Sequence, residues 1–377
     1  MEIAMTTDKI RIAFIKFGGL AAGGTEKYLQ TLACNLPKNE FEVDYYYTDN
    51  VSLIGNSWKH PQTDIERKKY MIDHDINLVC VDLEARDDRH GAPYPWVNTN
   101  FWKLFKAEDY DIVQTGRSGY TEYPFCEMHQ SRFVDSIHSF GADGIERREN
   151  IIKTVLLSEP HAEGWLANGG EESKLVIIPP LVEFPPRKDS TLRKDLNIGD
   201  DVAIFGMHQG NRDDIFSSIP LEAYSLIEND EVFFAMLGGS DKYKSQASSL
   251  GIKNIKFLPF TGDALVINNF VAGLDIFSHG RRDGEACSAA IIEALYHGKP
   301  IITHPGLNMG HASQVEGCGF MANTISDYAF YMRGLLTNRG LYDIMSKAAF
   351  EKYETFYSLN QSINKYTKLY KEVASGQ

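Results

Sequence analysis

The sequence predicts an α/β protein with two domains of similar size, each built around a parallel sheet. Short apolar segments alternate with segments of helical periodicity along the 377 residues, and such alternation is typical of right-handed strand–helix–strand units. Most of the apolar segments are almost continuous, as in IRIAFIKF at residues 10–17, which is expected for strands that helices cover on both faces. A proline-rich segment in the middle of the chain interrupts the alternation once. The sequence therefore predicts two α/β domains of similar size.

The composition is that of a folded protein, and it excludes one broad class of partner. Hydrophobic residues make up 43% of the chain and charged residues 24%, which are ordinary values for a globular protein. The 51 Asp and Glu residues outnumber the 38 Lys and Arg residues, so the net charge is −13. Because a general nucleic-acid-binding protein needs a basic surface, we expect no nucleic-acid partner.

Neither an export signal nor a membrane-spanning segment is expected. No run of about 18 apolar residues, the length of a membrane-spanning helix, occurs in the chain. Lys9, Arg11 and Lys16 interrupt the apolar stretch near the N-terminus. The five cysteines are scattered without a C-x-x-C pair, as is typical of a reducing compartment. We expect a cytoplasmic protein with no integral membrane segment, and peripheral contact with a membrane stays open.

The first domain is predicted from an ordered series of strand and helix patterns. The strand at residues 10–17 is followed by a glycine-rich turn, and TEKYLQTLACNL at residues 25–36 then has apolar residues at helix spacing. Further strands are predicted for FEVDYYYT at 41–48, INLVCVDL at 76–83, DIVQTG at 111–116, FVDSIHS at 133–139 and TVLLS at 154–158.

A break and a second series of strands follow. Pro179, Pro180, Pro185 and Pro186 fall in a segment that can continue neither a central strand nor a helix. The next strands are predicted for DVAIFGMH at 201–208, EVFFAMLGG at 231–239, IKFLPF at 255–260, LDIFSH at 274–279 and KPIITH at 299–304. Apolar residues at helix spacing in 358–374 predict a C-terminal helix.

The segment RRDGEACSAAIIEALYHGKPIITH, residues 281–304, carries the most specific signal for function. Glu285 and Glu293 lie on either side of the predicted start of a helix, for which Ser288 is the expected N-cap and Gly298 the end. The first backbone amides of such a helix suit an anion such as a phosphate. These amides are those of Cys287, Ser288 and Ala289.

This segment resembles the E-x7-E signature of retaining glycosyltransferases of the GT-B class, and it is most similar to family four, the group 1 glycosyl transferases. The usual signature is E-G-F-G-x-x-x-x-E-A-x-x-x-G-x-P-V-I. Both glutamates and the later glycine and proline are present here, whereas Cys287 and Ser288 replace the aromatic residue and the second glycine.

The resemblance implies a fold and a reaction. Two Rossmann-like domains with parallel sheets would face each other across a cleft, with residues 1–180 on the acceptor side and 181–357 binding the nucleotide sugar. A helix in 358–377 would cross back onto the first domain. The enzyme would move a sugar from a UDP- or GDP-sugar to a hydroxyl of a glycan, lipid or other acceptor. The anomeric configuration would be retained, and neither a metal nor another cofactor would be required.

The resemblance also implies roles for single residues. Glu285 would contact hydroxyls of the transferred sugar, and Glu293 would bind the ribose. His138, just after a predicted strand, would contact the sugar; the alternative is a structural histidine. Gly23 and Gly24 match the G-G-x-E start of the family, where glycine lets the backbone approach the donor; the alternative is a plain tight turn. A dinucleotide site is disfavoured because these glycines do not form G-x-G-x-x-G.

The basic pair of the family is only half present. Met207 stands where the family has an arginine, and Arg212 stands where it has the lysine that binds the pyrophosphate. Arg281 or Arg282 would have to supply the second cation. The alternative for Arg212 is a surface ion pair with a neighbouring aspartate.

Two other functions stay open beside glycosyl transfer. One is a nucleotide-sugar epimerase of the non-hydrolysing kind on the same fold, and the other is a degenerate GT-B protein that binds without catalysis. A metal-dependent GT-A enzyme is disfavoured, because its D-x-D motif should end a strand. The two D-x-D sequences here, at residues 73–75 and 109–111, each precede a predicted strand.

Overall fold

The structure is a computed structural model that describes residues 9–16, 20, 24–49, 61–82, 99–117, 130–140 and 150–376. The chain divides into two compact units. The first unit comprises Met1–Leu157, Ala162–Leu181 and Ser362–Gln377, and the second comprises Ser158–His161 and Val182–Gln361. The chain therefore leaves the first unit, forms the second, and returns to the first at its C-terminal end.

A parallel sheet forms the centre of the first unit. In the described part of the chain it has seven strands in the order β3-β2-β1-β4-β5-β6-β7. Their bounds are β1 Ile10–Ile15, β2 Phe41–Tyr47, β3 Asn77–Cys80, β4 Ile112–Arg117, β5 Phe133–Ile137, β6 Ile151–Leu156 and β7 Leu175–Ile177. Neighbouring strands pair in parallel throughout. The nearly continuous burial of β1 and β5 agrees with helices covering both faces.

Helices cover this sheet and connect its strands. They are α1 Gly24–Asn35, α2 Pro61–Asp73, α3 Phe101–Leu104 and α4 Glu159–Ala167. The helix α1 directs Tyr28, Leu29 and Leu32 into the interior, as its apolar spacing predicts. On the other face, Tyr46 packs against Phe101 in the core.

The second unit is built around its own parallel sheet. Its described strands number six, in the order β10-β9-β8-β11-β12-β13. They are β8 Ala203–Gln209, β9 Val232–Gly238, β10 Ile255–Leu258, β11 Ile276–Ser278, β12 Ile301–Thr303 and β13 Gly319–Met321. The predicted α/β class with parallel sheets is confirmed.

Helices pack on both faces of the second sheet. They are α5 Leu192–Leu196, α6 Ile219–Ser225, α7 Asp241–Leu250, α8 Ala264–Gly273, α9 Ala289–Tyr296, α10 Ala312–Val315, α11 Ile325–Thr337 and α12 Arg339–Lys352. Alternation along β8 divides the core: Phe205 and Met207 join the cluster on one face, and Ile204 joins the cluster with α9 on the other. A π-helical turn, Tyr353–Tyr357, then leads to the last helix, α13 Leu359–Ser375.

The helix α13 packs against the first unit. Tyr366 and Tyr370 are fully buried there. The hydroxyl of Tyr370 donates to Gln114 Oε1 at 2.7 Å. At the end of the helix, Arg132 Nη1 donates to the carbonyl oxygens of Val373 and Ala374, at 3.1 Å each. A cation therefore lies at the C-terminal end of the helix, where the helix dipole favours positive charge.

Candidate functional site

Polar side chains gather at the carboxyl ends of the strands in the second unit. His208 is the penultimate residue of β8, His279 directly follows β11, and His304 directly follows β12. Loops at the carboxyl ends of parallel strands are where open α/β sheets bind their ligands. The E-x7-E segment leaves the same edge, since it connects β11 to β12 through α9.

Glu285 is held by two cationic or polar donors. Its carboxylate accepts from His279 Nε2 at 3.0 Å and from Arg281 Nη1 at 2.8 Å. Burial by itself would raise the pKa of Glu285, but the hydrogen bond from His279 and the charge of Arg281 lower it to about 2. The carboxylate is therefore ionised at neutral pH, with an 18% exposed side chain that a ligand can reach.

The donors of Glu285 are themselves positioned by further contacts. His279 Nδ1 lies 2.8 Å from Thr303 Oγ1 at the end of β12. Because His279 Nε2 donates to the carboxylate, its Nδ1 accepts from the threonine hydroxyl when the ring is neutral. Arg281 also donates to both carboxylate oxygens of Asp283, at 3.0 and 2.7 Å. Sequence reasoning missed His279, although a polar residue directly after a central strand was the available signal.

Glu293 contacts His208, a residue to which the sequence analysis gave no role. Glu293 lies in the second turn of α9, and its Oε2 meets His208 Nε2 as an ion pair. Burial by itself would lower the pKa of His208, but the Glu293 carboxylate outweighs it and raises the pKa above the ordinary value. The position that faces this glutamate is thus His208, and Met207 is buried in the core on the opposite face of β8. A strand alternation that starts at Ile204 points to residue 208.

The start of α9 differs in one respect from the expectation of three free amides. Ser288 is the N-cap, with its Oγ accepting from Ile291 N at 3.4 Å. Its own amide donates to Gln314 Oε1 at 2.7 Å, and its carbonyl accepts from Gln314 Nε2 at 2.9 Å. The amide of Ser288 is therefore occupied by a side chain from α10, which the sequence pattern did not reveal. Cys287 and Ala289 precede and follow it.

Arg212 forms the surface ion pair that was the alternative to a ligand role. It is exposed, and its Nε donates to Asp214 Oδ1 at 3.0 Å, while its Nη2 contacts the other oxygen of the same carboxylate. Hydrogen bonding to Asp214 raises the pKa of Arg212, so the guanidinium stays charged.

A pocket of about 520 Å³ opens at the ends of β8, β9 and β10. Gly238 and Gly239 line it with φ of +77° and +83°, and a Cβ at Gly238 would lie 2.3 Å from Gln209 O, so only glycine fits. Phe260 is 57% exposed at its wall. The full lining comprises Asn211, Asp213, Gly238, Gly239, Ser240, Asp241, Lys244, Leu258, Pro259 and Phe260.

In the first unit, His138 directly follows β5 and is half-buried. Its Nε2 lies 3.1 Å from Ser136 Oγ, and its ring packs edge-on against Tyr28 at 4.5 Å between centroids. Gly24 is the first residue of α1, and a Cβ there would meet no atom of the described residues within 4 Å. Gly23 lies outside the described residues.

The described residues offer no cluster of three or more His, Cys, Asp or Glu that could hold a metal ion. The aspartates of the two D-x-D sequences precede β3 and β4, and Asp111 accepts from the amide of Arg11 at 2.8 Å. In the same part of the chain, Cys80, Cys287 and Cys318 have free thiols. No helix among the residues described is both long and apolar enough to cross a membrane.

Part of the second unit resembles a known protein family. Residues 218–352 match the family model described as "Glycosyl transferases group 1". This segment runs from the residue before α6 to the end of α12 and includes Glu285 and Glu293. No curated protein matches the chain.

Solved structures resemble the whole chain. A glycosyltransferase from Rickettsia africae has a TM-score of 0.72 at 16% identity, with 98% of this chain and 100% of that chain covered. HepE from Anabaena, in complex with UDP and glucose, has a TM-score of 0.70 at 16% identity, with 96% and 99% covered. Sucrose-phosphate synthase from Thermosynechococcus elongatus has a TM-score of 0.71 at 14% identity, with 98% and 100% covered.

These likenesses establish the fold. Two Rossmann-like domains with parallel sheets and surrounding helices match the GT-B fold of these structures, so that prediction is confirmed. Together with the match to the group 1 model, the fold supports a GT-B glycosyltransferase.

Proposed function

We propose that this protein is a retaining glycosyltransferase, similar to family four, that moves a sugar from a UDP- or GDP-sugar to a hydroxyl of a glycan, lipid or other acceptor. The observation that carries the proposal is the pair Glu285 and Glu293, each held by a histidine at the ligand-binding edge of the second sheet. The pair lies inside the segment that matches the group 1 model. The free thiols of Cys80, Cys287 and Cys318 support a cytoplasmic location.

The two carboxylates would bind different parts of the donor. Glu285 is ionised and accepts hydrogen bonds, so it suits the hydroxyls of the transferred sugar, to which it would be directed by His279 and Arg281. Glu293 would accept from the ribose hydroxyls. Its partner His208 would remain beside it, and the histidine ring would limit where the ribose can lie.

The diphosphate would be bound without a metal. The start of α9 offers the partial positive charge of a helix N-terminus next to Cys287 and Ala289. Arg212 would exchange the Asp214 carboxylate for a phosphate, and this exchange is easy because an exposed ion pair contributes only about 0–1 kcal/mol. These charges would stabilise the leaving diphosphate as the glycosidic bond breaks.

The pocket at the ends of β8, β9 and β10 would hold the nucleobase. Phe260 presents an exposed ring at its wall, and stacking of a base on an aromatic ring contributes about 1–3 kcal/mol. The two glycines at the end of β9 leave room for a ligand to approach the backbone.

The reaction would proceed on one face of the sugar. The acceptor hydroxyl attacks the anomeric carbon on the side from which the diphosphate leaves, so configuration is retained. Its proton passes to a leaving phosphate oxygen, and no separate general base is needed. His138 in the first unit would contact the sugar, and Gly23 and Gly24 would let the backbone approach the donor.

A nucleotide screen tests the donor site. We expect one of UDP, GDP and ADP to raise the melting temperature, because a ligand at 100 times its Kd stabilises the folded state by about 2.7 kcal/mol. Phe260→Ala should reduce this shift. Leu265→Ala, an exposed residue outside the pocket, is the matched control.

A transfer assay tests the reaction. The sugar forms of the preferred nucleotide are offered with a library of glycan and lipid acceptors, and the anomeric configuration of the product is read by NMR. Inversion would refute retention. Formation of an epimerised nucleotide sugar without any acceptor would identify the epimerase instead, and nucleotide binding with no turnover of any donor would identify a non-catalytic protein.

A further inference from the structure

A buried polar network in the first unit connects the last helix of the chain to His138. We propose that Tyr366 is a positioning residue: through Tyr28 it fixes the orientation of the His138 ring, so the C-terminal helix takes part in arranging the sugar-binding side of the enzyme. This role rests on the proposed function, because it concerns the residue that would contact the sugar.

The first contact joins α13 to α1. The hydroxyl of Tyr366 lies 2.7 Å from the hydroxyl of Tyr28, with the rings 6.2 Å apart at 72°. Tyr366 is fully buried and Tyr28 is 3% exposed. Two buried hydroxyls that bond each other cannot exchange their partner for water without exposing the interior, so the pair has one defined geometry.

The second contact joins α1 to His138. The ring of Tyr28 meets the ring of His138 edge-on, at 82° and 4.5 Å between centroids. This is the favoured arrangement of two aromatic rings, and it fixes the plane of the imidazole. A shift of Tyr28 therefore tilts His138.

The other side of the imidazole is fixed by a hydrogen bond. Ser136 Oγ donates to Thr115 O at 3.0 Å, so the same oxygen accepts from His138 Nε2 at 3.1 Å. The neutral ring then carries its proton on Nε2 and its lone pair on Nδ1. The ring is thus positioned by Tyr28 on one side and by Ser136 on the other.

The same helix reaches this hydrogen bond by a second path. Tyr370 donates to Gln114 Oε1 at 2.7 Å, and Gln114 Nε2 donates to Thr115 O at 2.7 Å. That carbonyl also accepts from Ser136. Tyr366 and Tyr370, on one face of α13, therefore connect to Tyr28 and Ser136, which position the imidazole. A helix that served only to pack against the unit would require neither tyrosine hydroxyl.

The test compares three variants that remove only hydroxyl groups: Tyr366→Phe, Tyr28→Phe and the double variant. The first readout is the ring nitrogen signal of His138 in full-length protein labelled with 15N-histidine and assigned with His138→Gln. The second is the division of the kinetic effect between kcat and KM for the donor. Tyr224→Phe is the control, because this buried tyrosine of the second unit donates to the carbonyls of Val232 and Asn254.

We expect each single variant to shift the His138 signal and to lower kcat roughly 3- to 10-fold, because misplacing a group that contacts the substrate costs turnover. The KM for the donor should stay unchanged. The double variant should be no worse than either single one, since both remove the same contact. Tyr224→Phe should alter neither readout.

Two results would overturn this proposal, and a third would distinguish it from the proposed function. An unchanged His138 signal in both single variants overturns it, and so does a shifted signal with unchanged kcat. A shifted signal in a protein that transfers no sugar supports the positioning of the ring and refutes the glycosyltransferase. If Tyr366→Phe does not fold, Tyr28→Phe tests the same contact from its other side.

Discussion

His208 at the end of β8 and Glu293 in the second turn of α9 form an ion pair within the second unit. The carboxylate proposed to bind ribose therefore carries a basic partner before any ligand arrives. Each side chain is only about one-sixth exposed, at 16% and 17%. Breaking such a pair by removing one member leaves a buried group without its partner.

The pair of His208 and Glu293 predicts that the folded state loses stability as the pH rises. The pKa of His208 is raised in the folded state by Glu293, against the effect of burial. A raised pKa stabilises the fold fully below the ordinary value near 6.5, and this contribution disappears as the pH rises through the folded pKa. Relative to His208→Gln, the wild type should therefore lose stability as the pH rises above about 6.5. Equal pH slopes for the two proteins would contradict the ion pair.

The burial of His297 predicts that the folded state loses stability as the pH falls. Burial, assisted by the charges of Lys299 and Arg187, lowers its pKa to about 4. The unfolded chain then takes up this proton first, so stability is lost as the pH falls from about 6.5 to 4. His297→Gln, which can keep a donor towards Asn268 Oδ1, should reduce the loss at pH 4.5 by about 2 kcal/mol. Chemical denaturation at pH 7 and 4.5 measures it; an unaltered acid loss in the variant would rule out this assignment.

The two glutamates should affect different steps: Glu293 the binding of the nucleotide, and Glu285 the turnover. Glu293→Gln should weaken nucleotide binding about tenfold, because charge-assisted bonds to the ribose are lost. Glu285→Gln should lower kcat more than tenfold with little change in nucleotide Kd, because its contacts concern the sugar. Titration calorimetry and steady-state kinetics separate the effects, with the exposed Glu316→Gln as the control. Wild-type transfer by both variants would remove the basis of the proposed site.

Metal removal should leave transfer unaffected. The proposed diphosphate site consists of Arg212 and the start of α9, and neither requires a divalent cation. Activity after dialysis against EDTA should therefore equal that of the untreated enzyme. Inactivation by EDTA with recovery on addition of Mn²⁺ would show that the diphosphate is bound in another way.

Removal of the last helix should destabilise the first unit selectively. A chain ending at residue 361 lacks Tyr366 and Tyr370, which are buried in that unit. Hydrogen exchange should show lost protection in β4 and β5 and retained protection in β8 and β9. Lys368→Ala, on the exposed face of the same helix, should keep protection everywhere. Normal protection of β4 and β5 in the shortened chain would show that the helix is dispensable.

Much of the fold could be predicted, because strands covered on both faces have continuous apolar sequences that are easily separated from helical periodicity. The strands predicted at residues 10–17 and 299–304 contain β1 Ile10–Ile15 and β12 Ile301–Thr303. The positions of Glu285 and Glu293 on either side of the start of α9 could also be predicted, since their spacing and the glycine that follows the helix are local features. Ser288 likewise proved to be the N-cap of α9.

The partners of these residues could not be predicted in the same way. His208, His279 and Gln314 reach the E-x7-E segment from β8, β11 and α10, through contacts that span up to 85 positions. Periodicity gives the face of an element but not the element it meets. The occupied amide of Ser288 is the clearest instance, because the pattern that predicted a free amide contains no trace of Gln314.

The order in which the chain is made has a consequence for the first unit. Its helix α13 follows the whole of Val182–Gln361 in sequence, so at about 5–20 residues per second a ribosome needs roughly 10–40 s to reach it after the rest of the unit has emerged. During that time the nascent polypeptide presents an apolar surface around Tyr28, Phe41 and Gln114 that Tyr366 and Tyr370 later cover. The earliest-made half of this protein therefore reaches its final packing last.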